Sequence, residues 1–132
     1  MSNQQVEETL MKADRWSKMI ALFFAMGMFG LASVLTTNPQ VNATIAAFSA
    51  VGVRIYIPYH VSVFGGNGDG ISSQSYEMTG NYHHGAAGAA LVAGPFAALA
   101  VFAAESMVYG SIGVAIAVGA VVFLVLRKVL PA

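Results

Sequence analysis

The chain has 132 residues, of which 57% are hydrophobic and only 9% are charged, and its formal net charge is zero. Ordinary soluble domains contain roughly 45–50% apolar and about 25% charged residues. A chain of this size buries only about two-thirds of its surface when it folds alone. A soluble monomer is therefore disfavoured, because it would expose wide apolar patches of the kind that mark association or membrane surfaces.

Charge and cysteine content exclude several functions. Six basic residues balance six acidic ones, so no basic field attracts nucleic-acid phosphates, and we expect no sequence-specific nucleic-acid binding. The absence of cysteine excludes disulfides, thiolate metal sites and cysteine nucleophiles. No pair of carboxylates beside a base and no serine–histidine–aspartate arrangement is indicated. We therefore expect no enzymatic activity and no cofactor.

The first predicted element is one long helix from about Asn3 to Thr36. It is amphipathic at first and becomes apolar on all sides over Met19–Leu35, a pattern that indicates burial all round. Its polar part contains two i,i+4 pairs of opposite charge, each of which stabilises a helix by a few tenths of a kcal/mol: Glu8 with Lys12, and Asp14 with Lys18.

A second helix is predicted immediately after a short turn. Asn38 is a good N-cap, and Pro39 suits the first helical position. Pro58 disfavours helical geometry at Ile57 and predicts the end of this helix. Residues 3–56 are thus predicted to form a helical hairpin.

A polar, glycine-rich loop is predicted over residues 57–85. The run Gly65–Gly70 favours turns. Neither a P-loop nor a calcium loop is indicated, since no lysine directly follows the run and Asp69 is its only acidic residue. A short strand over Tyr56–Phe64 is an alternative within this segment. We expect the aromatic and histidine side chains of the loop to lie at a surface, in contact with solvent or a neighbouring subunit: Tyr59, His60, Tyr76, Tyr82, His83 and His84.

Two sets of polar residues have a chemical alternative. His60, His83 and His84 could bind a metal, but their spacing and the lack of carboxylate neighbours favour polar loop residues and no metal site. Glu105 is the one charge between residues 86 and 126. A carboxylate in an apolar helix can mark a proton or ion path, although a helix bend, where the side chain reaches solvent, is the favoured interpretation.

The second half is predicted to be another helical hairpin, over residues 86–128, because its apolar stretch is too long for a single ordinary helix. Gly110 and Gly113 are the predicted break. The cations Arg127 and Lys128 suit the end of the last helix, where they face the negative end of the helix dipole.

Small residues in this hairpin allow helices to approach closely. We expect helix-packing contacts at Gly88, Gly94, Gly110, Gly113 and Ala117. These contacts could lie within one hairpin or between copies, and both alternatives imply a dry interface without chemistry. The predicted fold class is therefore all-α, with about four helices in a single domain that covers residues 1–132.

The apolar helices can be covered in two ways, and lipid is the first. Met19–Leu35 has 17 residues, the lower limit of about 17 for a membrane span. A four-pass arrangement would place the basic residues of both ends of the chain on one side, consistent with the positive-inside tendency. Val41–Ile55 argues against this interpretation, since it is short and includes Arg54.

Copies of the same chain are the second kind of cover. Met19–Phe24 in the first hairpin, with the runs Ala86–Ala93 and Val114–Gly119 in the second, resembles in pattern the major capsid proteins of archaeal spindle-shaped viruses. The resemblance covers most of the chain and rests on pattern and size. It implies a structural coat subunit of a virion, in a shell that is associated with lipid or sealed by hydrophobic contacts. The alternatives are a small multi-pass integral membrane protein and a pilin-like filament subunit.

Overall fold

A computed structural model of the protein describes residues 3–64 and 82–131, and these residues form four helices in chain order. They are α1 (Asn3–Leu35), α2 (Pro39–Phe64), α3 (Tyr82–Glu105) and α4 (Val108–Val129). The predicted all-α class with four apolar helices is confirmed. Gly65–Gly70 and Tyr76, which belong to the predicted loop, lie outside the described residues.

The turn between α1 and α2 has the predicted construction. The Asn38 side-chain oxygen accepts hydrogen bonds from the backbone N–H groups of Gln40 and Val41, each at 3.1 Å. This geometry is that of an N-cap, which satisfies donors that have no partner within the helix. Pro39 is the first residue of α2, so the predicted start of the second helix is confirmed.

The prediction that Pro58 ends the second helix is wrong. α2 continues through Pro58 to Phe64, and α3 already begins at Tyr82, so both edges of the predicted loop are helical and the alternative short strand is absent from this segment. A proline inside a helix removes one hydrogen bond and crowds the preceding turn. The helix persists here because the next residue, Tyr59, is fully buried against other parts of the chain.

The predicted break at Gly110 and Gly113 is also wrong. α3 ends at Glu105, and α4 begins three residues later. Ser106 adopts a left-handed conformation with φ of 56°, and its N–H donates to the Phe102 carbonyl at 2.8 Å, which closes the helix in an αL motif. Glycine usually occupies this position, whereas here it is a serine. The prediction that Glu105 lies at a bend is confirmed, and its side chain is exposed.

The helices pack in the order of the chain. α1 contacts α2, α2 contacts α3, and α3 contacts α4, while every other pair of elements makes at most isolated contacts. Short turns make α1 antiparallel to α2 and α3 antiparallel to α4. α2 and α3 also run antiparallel, since Tyr59 lies against Gly85 and Gly52 lies against Gly88. The result is an open row, with α2 and α3 inside and α1 and α4 at the flanks.

The two ends of this row differ in charge. One end, here called the turn end, carries the two short turns at residues 36–38 and 106–107. The other end, here called the charged end, contains the first residue of α1 and the last residue of α4. The half of the row nearer to this end, the charged half, contains every described charged residue except Glu105: Glu7, Glu8, Lys12, Asp14, Arg15, Lys18, Arg54, Arg127 and Lys128.

Candidate functional site

An apolar perimeter lies on the two flanks of the row. Val34 on α1 is 84% exposed, and Val121 on α4 is 61% exposed. Large exposed apolar side chains are few on α2 and α3. We define the apolar perimeter by its members on the flanking helices: Met19, Ile20, Leu22, Phe23, Met26, Phe29, Leu31, Val34, Val121, Leu124 and Val125.

Each of the four helices is long and apolar enough to cross a membrane. A hydrocarbon core of about 30 Å requires roughly 20 residues in a helix, and the shortest helix, α4, has 22. In the most apolar stretch of α4 only 6% of the residues are buried within the chain, compared with 33% in α3. Among the described residues, neighbouring helices thus cover more of α3 than of α4.

An ion-pair cluster joins α1 to α2 in the charged half. The Arg54 guanidinium donates to an Asp14 carboxylate oxygen at 2.5 Å and to the Ser17 hydroxyl oxygen at 2.7 Å. Lys18 lies 2.8 Å from the other Asp14 carboxylate oxygen. One carboxylate therefore pairs with two cations, and the single charge of α2 is tied to the neighbouring helix. The predicted pairs of Asp14 with Lys18 and of Glu8 with Lys12 are both present.

Sequence reasoning treated Arg54 only as an obstacle to a membrane span. A lone charge in an otherwise apolar helix was the signal of this cluster, but the partner could not be assigned before α1 and α2 were placed side by side. Ser17, which is fully buried, was not singled out at all. Its hydroxyl donates to the Asp14 carbonyl at 2.7 Å.

Two predicted packing glycines lie at close helix contacts. A Cβ atom on Gly88 would lie 2.8 Å from the Gly52 carbonyl oxygen and 2.8 Å from the Tyr56 nitrogen. A Cβ atom on Gly94 would lie 2.8 Å from the Ala115 carbonyl oxygen. These neighbours are backbone atoms, which cannot move aside as a flexible side chain can. Gly88 and Gly94 therefore set the close approach of α2 to α3 and of α3 to α4.

The other predicted packing residues make no such contact with the described residues 3–64 and 82–131. A Cβ atom on Gly110 would meet only the side chain of Met107, at 3.4 Å, and one on Gly113 would meet nothing within 4 Å. Ala117 is exposed. Contact of these residues with another copy stays a prediction.

Tyr59 was predicted to lie at a surface, and this prediction is wrong. The side chain is 0% exposed, and its ring lies directly against Gly85 at the start of α3. Its hydroxyl donates to the Pro131 carbonyl at 2.6 Å. Tyr59 thus connects α2, α3 and the segment after α4, a role that no local pattern could reveal.

The remaining described residues of this predicted set lie near the charged end: His60, Tyr82, His83 and His84. His60 and His84 are exposed, and the rings of His60 and Phe64 are 4.8 Å apart. Tyr82 and His83 are partly buried, with their rings 4.1 Å apart. Their contact with a neighbouring subunit stays a prediction. Across residues 3–64 and 82–131, no group of three or more histidine and acidic side chains is placed to bind a metal ion.

Asn42 is a structural residue that sequence reasoning missed. It is 2% exposed, and its amide donates to the Thr36 carbonyl at 3.3 Å. The Thr36 hydroxyl in turn donates to the Asn42 side-chain oxygen. Buried polar groups require such partners, so the buried Asn42 side chain stabilises the turn between α1 and α2 through its hydrogen bonds to Thr36.

A groove with a volume of about 1020 Å³ runs between α2 and α4, with α3 as its floor. Its polar lining residues directly precede α2 or belong to the first two turns of α2 and the first turn of α4, so they lie toward the turn end: Asn38, Gln40, Thr44 and Ser111. The rest of the lining is apolar. At the charged end, the Tyr59–Pro131 hydrogen bond ties α2 to the segment after α4.

No family model, curated protein or solved structure shows a significant match to the chain. The fold and its surfaces define the class: an all-α protein with four long apolar helices, of which the two flanking ones expose many large apolar side chains.

Proposed function

We propose that the chain is a structural, non-catalytic coat subunit of a virion, with its apolar helices covered by neighbouring copies and by lipid. The observation that carries this proposal is the apolar perimeter on both flanks of an open row. A subunit with two separate apolar faces can pack against one neighbour on each side. Contacts of this kind, between different faces, produce rings or extended helical lattices rather than closed dimers.

Small residues on the flanks also support contact between copies. Gly27 and Gly30 on α1, like Gly113 on α4, have no neighbour within 4 Å of the position of a Cβ atom. They lie among large apolar side chains, so each flank has shallow depressions beside its ridges. Helices that pack in apolar surroundings commonly use such small residues for close approach.

Electron microscopy of the native material tests this proposal. We expect regular particles or tubes that persist in about 1 M salt. At that concentration the Debye length is only about 3 Å, so interactions between exposed charges are weakened, whereas burial of apolar surface is not screened by ions. Detergent should dissociate them into small helical species, since micelles cover the same side chains. Native preparations that contain only small oligomers embedded in a bilayer, with no regular lattice, would contradict the coat proposal.

That contradictory outcome would favour a small multi-pass integral membrane protein. The specific observation behind this second candidate is the asymmetric charge of the row. Arg15, near the start of the chain, and Arg127 and Lys128, near its end, lie at the same end, as expected for four spans that follow the positive-inside tendency. The four helices meet the length and composition requirements of spans.

A further inference from the structure

We propose that a cationic patch on α1, directly before its apolar run, binds the phosphate of an anionic phospholipid head group. We define this head-group patch by Arg15, Trp16 and Lys18, all of which are exposed. The inference rests on the proposed contact of the apolar helices with lipid. It adds the chemical class of the lipid and the place on the chain that selects it.

The charges around this patch leave one cation without a partner. Both oxygens of the Asp14 carboxylate are engaged, one by Arg54 of α2 at 2.5 Å and the other by Lys18 at 2.8 Å. Arg15 pairs with no carboxylate within residues 3–64 and 82–131. These four side chains comprise three cations and one carboxylate, so the local net charge is +2. The patch therefore attracts an anion, and an unpaired guanidinium suits a phosphate, which it can bind through two parallel hydrogen bonds.

The position of the patch matches that of a head group. Lys18 directly precedes the apolar run Met19–Leu35, and two large apolar side chains of the next turn, Leu22 and Phe23, are exposed. Trp16 is 59% exposed, and indole rings are favoured at membrane–water interfaces. An anion bound here would thus lie where an exposed apolar surface begins. A phospholipid carries its phosphate and its hydrocarbon chains in this same order.

A carboxylate of a neighbouring copy is a poorer partner for the patch. Glu8 already pairs with Lys12 at 3.2 Å. Glu7 precedes Arg15 by eight residues, which is about 12 Å along the helix, and Glu105 lies at the turn end. Copies that pack side by side in the same orientation therefore present no unpaired carboxylate of the described residues at the height of Arg15.

A nucleic acid also fits the patch less well than a single phosphate does. Duplex DNA carries one charge for about every 1.7 Å of its axis, and proteins bind it by neutralising several phosphates at once. The patch offers a single unpaired cation, with exposed apolar side chains beside it. An isolated phosphate attached to hydrocarbon is the anion that these surroundings favour.

Trp16 provides the readout, because it is the only tryptophan of the chain. The full-length protein is reconstituted at low density in vesicles of equal parts phosphatidylcholine and phosphatidylglycerol. In one preparation the phosphatidylglycerol carries bromine on its acyl chains close to the head group, and in the other the phosphatidylcholine does. Bromine quenches a tryptophan that it contacts, so the two preparations compare the lipids next to Trp16. We expect phosphatidylglycerol to be enriched about fivefold there, which is roughly the factor that one basic residue contributes at an anionic membrane surface.

Two substitutions form a matched pair. Arg15→Gln removes the unpaired cation next to Trp16 and should abolish most of the enrichment. Lys128→Gln removes one cation from the same end of the row, but on α4, which α2 and α3 separate from α1. This control should keep the enrichment. Wild type in about 1 M salt should lose it, since exposed charges are then screened, and this measurement requires no variant to fold.

Several results would overturn the proposed patch. They are equal quenching by both lipids in wild type, equal enrichment in Arg15→Gln and Lys128→Gln, failure of wild type to insert into the vesicles, and relief of the quenching by added duplex DNA. The coat proposal has a separate readout. A regular lattice without lipid preference would reject the patch alone, and lipid preference without a lattice would reject the coat alone.

Discussion

At Gly88 and Gly94, the backbone of a neighbouring helix occupies the space that a side chain would need. We expect Gly88→Ala and Gly94→Ala each to lower the free energy of unfolding by about 1–3 kcal/mol, as overpacking usually does. Gly113→Ala is the matched control, because open space surrounds that position and alanine favours a helix by up to about 1 kcal/mol over glycine. Thermal unfolding in detergent, followed by circular dichroism, compares the three variants. Equal midpoints for all of them would contradict the close helix contacts.

A second prediction at the level of residues concerns Arg54. Arg54→Met removes its hydrogen bonds to Asp14 and Ser17 and keeps most of the aliphatic stem. Partly exposed ion pairs contribute up to about 1 kcal/mol, so we expect a loss of that order in the free energy of unfolding. Lys12→Met disrupts an exposed pair within a single helix and should have a smaller effect. Chemical denaturation measures both variants, and an equal effect would show that the cluster adds nothing to the packing of α1 on α2.

Local sequence patterns predicted those parts of the helices that local chemistry determines. The apolar run of α1 and the Asn38–Pro39 start of α2 depend on side chains within one turn. The end of α2 and the break before α4 are not determined by the side chains of a single turn. Pro58 remains helical next to the buried Tyr59. The residue that follows α3, Ser106, adopts a conformation that glycine usually adopts.

The same distinction separates the site residues that could be predicted from those that could not. Gly88 and Gly94 were found because small residues in an apolar helix suggest a close contact whatever the partner is. Gly52 and Asn42 were not predicted as site residues. Their roles require knowledge of the facing element, as does the connection from Tyr59 to Pro131.

A prediction at the level of elements follows from that connection. Tyr59→Phe removes the hydrogen bond to the Pro131 carbonyl and keeps the ring against Gly85. Loss of one hydrogen bond costs about 0.5–1.5 kcal/mol, and the effect should be confined to the end of α4. We expect faster amide hydrogen exchange over residues 126–130 with little change in α1. Tyr56→Phe is the control, since no hydrogen bond of the Tyr56 hydroxyl is present within the described part of the chain; faster exchange in both variants would contradict the specific connection.

At the scale of the whole molecule, the asymmetry between the charged end and the turn end predicts two opposite accessible faces. The chain has no cysteine, so single cysteines can report on each end. We expect a membrane-impermeant maleimide to label Gln4→Cys from one side of closed vesicles or particles, and Met107→Cys only from the other side. Labelling of both positions from the same side would contradict an orientation with the helices across the apolar layer.

The open row also has a consequence for the order in which the protein folds. Each helix packs mainly against its neighbours in the chain, and contacts that are local in sequence form quickly. The α1–α2 pair can close as soon as α2 has been synthesised, and the α3–α4 pair can close independently of it. Docking of the two pairs must then bring the faces of Gly52 and Gly88 together. Substitutions at these two glycines should therefore slow the last folding step and leave both helix pairs able to form.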